Sequence, residues 1–536
     1  KEARDVWFWI CLMNMVADSR VRNCSNLSSR HTLVVALPGA LVSGFIYAYS
    51  TYSNALQAAF NLTEPEKENI GIAPSLCNFV TFTNGLILDR TSVRFCCLLS
   101  GSIILFAYGL FSAIALKIIH VGSPGTVLFL LAILGSYGSS FMVAAVFTTL
   151  TKNFVDDRSA VVSMAKAWVG VATGVATAIY VGIFPSDPAD PLRLRFVLFL
   201  TLVGGLTPIC ISPFLRPLPA QRERKRWRFL MPRSKMLPNG FVLSTVLIAT
   251  TLASTFSDSP LWSVALIAIL VSPVALIITK CSSPASDGSD ISVCSSVAVM
   301  DADANFMTSP TNEIRRRSFW EGGPLHMLTF PEAYMLWFCT LSLQSGGLFL
   351  SASLGSILAA RDDCRVAPGT AVTIFSCFQG FARLVTGSFS NKLMHSGLPR
   401  TCSFPMMLLV MATAHAVFML PGDIAVYVGT ALCGWAFGAC YPLLVLVVGE
   451  IWGEERIASN YMIFDGTPGA VGSLVFARVL PSAMVKAHAD PDGVCRGDHC
   501  FFDVHAVILS CQALCFIIGC VFACRTRVVY KSLGYT

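Results

Sequence analysis

Charge is what this chain has least of. Asp, Glu, Lys and Arg make up 13% of its 536 residues, where a soluble domain carries about a quarter. So little charge excludes an ordinary water-facing surface. Signatures of catalysis are missing too: no GxxxxGK followed by Ser or Thr, no HExxH and no GxSxG occurs. The absent phosphate-binding loop argues against an ATP-driven pump, nothing points to an enzyme, and neither a metal nor a cofactor is expected. The net charge of +7 comes with no nucleic-acid motif, since its cations gather in short segments between apolar runs. Cysteine is plentiful, at 20 residues. Most lie inside the apolar runs (Cys96, Cys97, Cys433, Cys440, Cys511, Cys515), where the thiol behaves as a small hydrophobe and not as part of a disulfide scaffold.

What is present is hydrophobic length. Hydrophobic residues form 54% of the chain and mean hydropathy is +0.66. Apolar stretches of roughly 20 residues, the length of a bilayer-crossing helix, recur throughout. The expectation is an all-α, multi-pass membrane protein with fourteen spans in a six, two, six arrangement. The first six are Leu33–Ser53, Asn69–Leu88, Phe95–Ile119, Thr126–Thr149, Ala160–Phe184 and Phe196–Leu215. The central pair is Phe241–Phe256 and Leu261–Thr279. The last six are Phe330–Leu354, Thr370–Ser390, Cys402–Leu420, Ile424–Gly449, Ser459–Val485 and Phe501–Cys524. The corresponding divisions are an N-terminal segment (1–31), a first six-helix bundle (32–215), a linker region holding the extra pair (216–328), a second bundle (329–524) and a tail (525–536).

Lysine and arginine concentrate in the loops on the N-terminal side of the membrane, which places both termini in the cytoplasm. Asn61 then faces outward in an Asn-Leu-Thr acceptor sequence and is a glycosylation candidate, whereas Asn23 and Asn26 are not. Cys495 and Cys500 also fall outside, where a small disulfide ring and two free thiols fit the spacing equally. The linker Arg216–Lys235, with RERKRWRF, reads as a segment lying on anionic lipid or as a topological anchor. Cys281–Leu328 is Ser-rich and reads as disordered. Its Arg315-Arg316-Arg317-Ser318 run fits either a phosphorylation site or simple retention of orientation.

The stretch that organises the rest is GFARLVTGSFSNK, Gly380–Lys392. Arg383, Gly387 and Asn391 fall four apart and share a helix face. A related frame occurs in NGLILDR: Gly85, then Asp89 and Arg90, followed by Arg94. The glycine permits close helix approach, and the aspartate can cap a neighbouring helix N-terminus while pairing with arginine. Such clusters lock one conformation and break in another. Arg383 itself costs about 3 kcal/mol or more to bury and lies too deep to snorkel, so it needs a wet cavity or a partner. Its planar fork suits a carboxylate; the alternative is a structural pairing. Lys166 is a second intramembrane cation, read as a substrate or proton site or as an interfacial anchor. His415 reads as a proton relay or as a histidine bonded to a neighbouring helix, and Tyr47, Tyr49 and Tyr52 as pore lining or interfacial belt. Gly170-xxx-Gly174 and Gly434-xxx-Gly438 read as close helix crossings.

With those residues laid out, the chain resembles the major facilitator superfamily, whose first-half loop motif matches Gly85, Asp89, Arg90 and Arg94. More narrowly it is similar to the nodulin-like group, through ENIGIAPSLCNFVTFTNGLILDR, TKNFVDDRSAVVSMAKAWVGVATG, GWAFGACYPLLVLVVGEIWG, CRGDHCFF and RTRVVYKS. The resemblance implies two six-helix bundles around a central solute path that open alternately to either side. A local resemblance to the eighth helix of monocarboxylate transporters, Arg-x3-Gly-x3-Asn, implies that Arg383 holds a substrate carboxylate. The proline usual after that arginine is Leu384 here, and the acid expected one turn earlier is Gln379, so no carrier for a coupling proton stands on that helix. The readings left open are a transporter of a small organic anion, a transporter of a neutral or metal-bearing solute such as an amino acid or haem, and a non-transporting receptor or scaffold.

Overall fold

The computed structural model describes residues 29–184, 191–218, 233–254, 261–262, 264–269, 320–361, 364–488 and 495–534. All regular structure among them is helical. The first half holds α1 (Ser29–Ser43), α2 (Tyr49–Phe60), α3 (Glu64–Cys77), α4 (Phe82–Arg90), α5 (Val93–Ala115), α6 (Pro124–Asn153), α7 (Arg158–Ile183) and α8 (Arg195–Ile211). An extra helix, α9 (Arg233–Ser254), precedes the short α10 (Pro324–Met327). The second half holds α11 (Pro331–Ala360), α12 (Pro368–His395), α13 (Ser403–Phe418), α14 (Asp423–Trp452), α15 (Ile457–Leu474), α16 (Leu480–Ala487) and α17 (His499–Ser532). The RERKRWRF run, the Arg315–Ser318 run, Asn23, Asn26 and most of Leu261–Thr279 lie outside the described residues.

Among the described residues ten helices are long and apolar enough to cross a membrane, or eleven with the bent pair α3–α4 taken as one span. The expected fourteen is therefore not reached, for three physical reasons. Arg195–Ile211 is short. Pro368–His395 carries Gln379, Arg383, Asn391 and several hydroxyls, which lower its hydropathy although it runs 28 residues. The partner of α9 falls largely outside the description.

Breaks within spans have local causes. The first span is interrupted by a single 3-10 turn at Phe45–Ala48, just after Gly44. A Cβ at Gly44 would meet the Ala172 Cβ at 2.5 Å and the Val169 carbonyl at 2.7 Å, so glycine lets α1 lie against α7 there. The helices α3 and α4 meet at 41°, shortly after Pro74. In the thirteenth expected span, Pro481 removes a backbone donor and crowds the carbonyl four residues back. The chain answers with a π-helical turn at Val475–Val479 that carries Arg478. The last helix continues to Ser532 instead of ending at Cys524, because its end is tied down: Arg525 Nε meets Glu332 Oε1 at 2.5 Å and Tyr530 donates to Glu450 at 2.7 Å.

One bundle forms from α1, α5, α6, α7 and α8 and the other from α11, α13, α14 and α17, with α12 and α15 of the second packed on α7 and α4 of the first. The helix α9 touches both α7 and α12, so it lies along the seam. Trp168 donates to Ser244 of α9 at 2.9 Å, and a Cβ at Gly174 would meet Thr251 of α9 at 2.7 Å. Gly434 and Gly438 bring α14 onto the backbone of α12, where added Cβ atoms would lie 2.6 Å from the Phe375 carbonyl and 2.3 Å from that of Gln379.

Candidate functional site

The seam between the bundles carries the charged groups. Arg383 is buried; its guanidinium donates to the Lys166 carbonyl at 3.2 Å and to Gln379 Oε1 at 3.2 Å. It also stacks over the Tyr441 ring, 4.5 Å from the centroid. Its Nε has no partner, and no carboxylate pairs with it among the described residues. Gln379, one turn earlier, spends its amide hydrogen on the Gly170 carbonyl at 3.2 Å. A glutamine in that place orients the arginine without cancelling its charge.

Lys166 is also buried and reaches across the seam to Asp465 of α15 at 3.1 Å. Tyr461, one turn before Asp465, contacts both the ammonium and the carboxylate. The ammonium sits 4.3 Å over the Phe147 ring and 5.3 Å over Tyr441, so one tyrosine face serves both cations. Lys166, Arg383 and Asp465 together leave one formal positive charge in a dry setting. Tyr47 is 45% exposed, yet its side chain meets Asn78 and feels the charges of Asp465 and Arg383.

Arg383, Gln379, Lys166 and Tyr47 are thus gathered at one place, whereas His415 is not among them. It lies inside the second bundle, where its Nδ1 shares a hydrogen bond of 3.0 Å with Nδ1 of His505 on α17. Tyr49 and Tyr52 are buried in the first bundle, the former donating to the Lys67 carbonyl at 3.0 Å. Asp465, Tyr441 and Tyr461 are absent from the sequence reading. Asp465 offered a signal there, a lone acid in an apolar span, but its partner stands 299 positions away.

The two glycine frames meet the opposite bundle in matching ways. A Cβ at Gly85 would lie 2.4 Å from the Ala458 carbonyl, and one at Gly387 would lie 2.3 Å from the Ser159 carbonyl. Asp89 accepts the Ser459 N–H at 3.2 Å, at the start of α15, where a carboxylate is favoured by the helix dipole. Asn391 donates to Ser159 Oγ at 2.6 Å, at the start of α7. The cations facing Asp89 are Lys152 and Arg456, not Arg90, which is exposed beside the half-buried Arg94. Arg158 of the first bundle pairs with Glu454 of the second. Within the second bundle, Arg400 joins Asn391 at 2.8 Å and Glu450 at 3.0 Å.

Residues 32–278 match the family model described as Nodulin-like. Over that stretch, less than half of its length, the chain is similar to that family. Its fold as a whole is shared with solved membrane transporters. It is similar to the structure of the human organic anion transporter MFSD10 (TETRAN), with a TM-score of 0.52 and 13% identity over 91% of this chain and 99% of that one. It is also similar to a bacterial homologue of the human drug peptide transporters PepT1 and PepT2, with a TM-score of 0.51 and 12% identity over 94% of this chain and 100% of that one. At such identities the fold is what is shared. Among curated proteins it is 30% identical over 143 residues to a probable transporter, MCH1, of Yarrowia lipolytica, covering 25% of this chain and 29% of that protein. A probable transporter, mch1, of Emericella nidulans is 25% identical over 198 residues, covering 32% of this chain and 30% of that protein. The chain thus spans less than a third of the length of the curated relatives it matches. The chain is a multi-pass membrane protein.

Proposed function

We propose that this nodulin-like protein is a secondary transporter that moves a small organic anion by alternating access, with Arg383 taking the anion's carboxylate. The observation that carries this reading is the uncompensated guanidinium: Arg383 is buried at the seam, has no acidic partner among the described residues and keeps an unpartnered Nε. A buried charge of that kind costs several kcal/mol unless a counter-ion arrives. Lys166 does not share the deficit, since Asp465 neutralises it. A solute carboxylate supplies that counter-ion to Arg383. Gly85, Asp89, Gly387 and Asn391 then form the contacts that must part when the bundles open at that end. Both termini on the cytoplasmic side, Asn61 as a glycan acceptor and anionic lipid at the basic linker complete the proposal.

Uptake by the purified protein in liposomes tests it. Wild type is expected to take up a labelled monocarboxylate, with other carboxylates competing and the matching amides not. Losing charged hydrogen bonds of roughly 2 kcal/mol lowers uptake by Arg383→Ala about 30-fold. Uptake at the wild-type rate by that variant removes the clamp.

A further inference from the structure

We infer that Asp465 carries the coupling proton, so that one proton moves with each solute anion. The inference rests on the transport reading above and adds the group that takes the proton. The Lys166–Asp465 pair, at 3.1 Å, joins α7 of one bundle to α15 of the other. Any separation of the bundles around the site breaks it, and two bare charges among apolar helices cost several kcal/mol each. A proton on Asp465 removes one of those charges and frees α15 from Lys166. The carboxyl is also the more accessible member: its side chain is 17% exposed against 3% for Lys166. Tyr461 keeps it hydrogen-bonded in either state, because a phenol donates to a carboxylate and accepts from a carboxylic acid.

The groups facing Asp465 come from every neighbouring element: Lys166 from α7, Tyr441 and Cys440 from α14, Arg383 from α12, Tyr47 from the first span and Tyr461 from α15 itself. Asp465 is the one carboxylate of that set. A ratio of one proton to one monoanion leaves the charge of the site unchanged. The empty site with Asp465 ionised carries one positive charge; adding a proton and a monoanion returns the same value. On one face a proton leaves water and forms an O–H bond on Asp465 while Lys166 stays an ammonium. On the other face that bond breaks, the proton returns to water and Lys166 pairs with Asp465 again. No net charge crosses in a full cycle, so membrane voltage does not drive net uptake.

The test uses full-length protein in lipid. The infrared difference spectrum between high and low pH is expected to show the carbonyl band of a protonated carboxylic acid in wild type. The band is absent in Asp465→Asn and present in Asp465→Glu. In proteoliposomes with labelled pyruvate, the ratio of proton-gradient-driven uptake to exchange falls about tenfold or more in Asp465→Asn, and imposed voltage leaves wild-type uptake unchanged. An unchanged band or an unchanged ratio in Asp465→Asn overturns the assignment, as does voltage-driven uptake by wild type. Wild-type protein that exchanges no pyruvate counts against Arg383 as the anion clamp, and the infrared band still decides Asp465.

Discussion

Gly170 lies beneath the guanidinium of Arg383: a Cβ there would sit 3.1 Å from Cδ and 3.2 Å from one terminal nitrogen. Those atoms end a flexible side chain, so a larger residue displaces the arginine more readily than it strains the backbone. Gly170→Val is therefore expected to weaken carboxylate binding about tenfold while shifting the melting temperature by only a few degrees, as titration calorimetry beside thermal unfolding would show. An unaltered affinity would mean that the guanidinium's position is irrelevant to binding. Arg400 has the opposite character, since it is buried with Glu450, Asn391 and Ser390. Arg400→Met leaves Glu450 as an uncompensated buried charge and is expected to cost about 3–5 kcal/mol. Arg400→Met with Glu450→Leu should recover much of that stability, and a double variant no better than the single would refute the pairing as its cause. The two cations of the site were legible in the sequence because each interrupts an apolar run. Their surroundings were not. A partner sought on Arg383's own helix yields Gln379, while Asp465 belongs to α15 and meets Lys166 only after the bundles assemble.

At the scale of elements, composition alone undervalues α12. Its polar residues reduce its hydropathy, yet α7 and α14 cover it on both sides, so its polarity faces protein and not lipid. Hydropathy reads the average of a helix, and only packing reveals where its polar groups point. The bent pair α3–α4 and the π-helical turn before α16 are likewise tertiary outcomes, though Pro74 and Pro481 mark their neighbourhoods. Between α16 and α17 the spacing of Cys495 and Cys500 left two readings, and the structure joins them in a disulfide. The ring fastens to the end of α11 through Gly497 N–H to the Ala360 carbonyl at 2.6 Å and through Arg361 to Asp498 at 3.3 Å. So small a ring contributes about 2 kcal/mol. Mild reduction is expected to raise hydrogen exchange around residues 495–500 and to leave α12 protected. Loss of protection in α12 would show that the ring holds more than its own corner.

At the scale of the molecule, the two halves use one device twice. Gly85 and Gly387 each press a helix onto the first turn of a helix from the other bundle, and Asp89 and Asn391 each meet a serine there. The shared glycine-plus-four spacing was visible in the sequence, but which helix each frame would touch was not, because the contacts cross between halves. An added side chain at Gly387 meets backbone that cannot yield, so the bundles must part. Gly387→Leu is expected to increase hydrogen exchange at residues 159–166 without melting the fold, whereas unchanged exchange there would detach Gly387 from the gate. Transport of an anion requires that the buried guanidinium of Arg383, which has no acidic partner among the described residues, be where the solute's charge goes. Thermal shift reads this most directly, since a solute that binds the native state raises its melting point. Monocarboxylates are expected to stabilise wild type and His415→Ala alike and to leave Arg383→Ala unmoved, while the corresponding amides stabilise none of them. A carboxylate that stabilises Arg383→Ala as strongly as wild type would contradict the account.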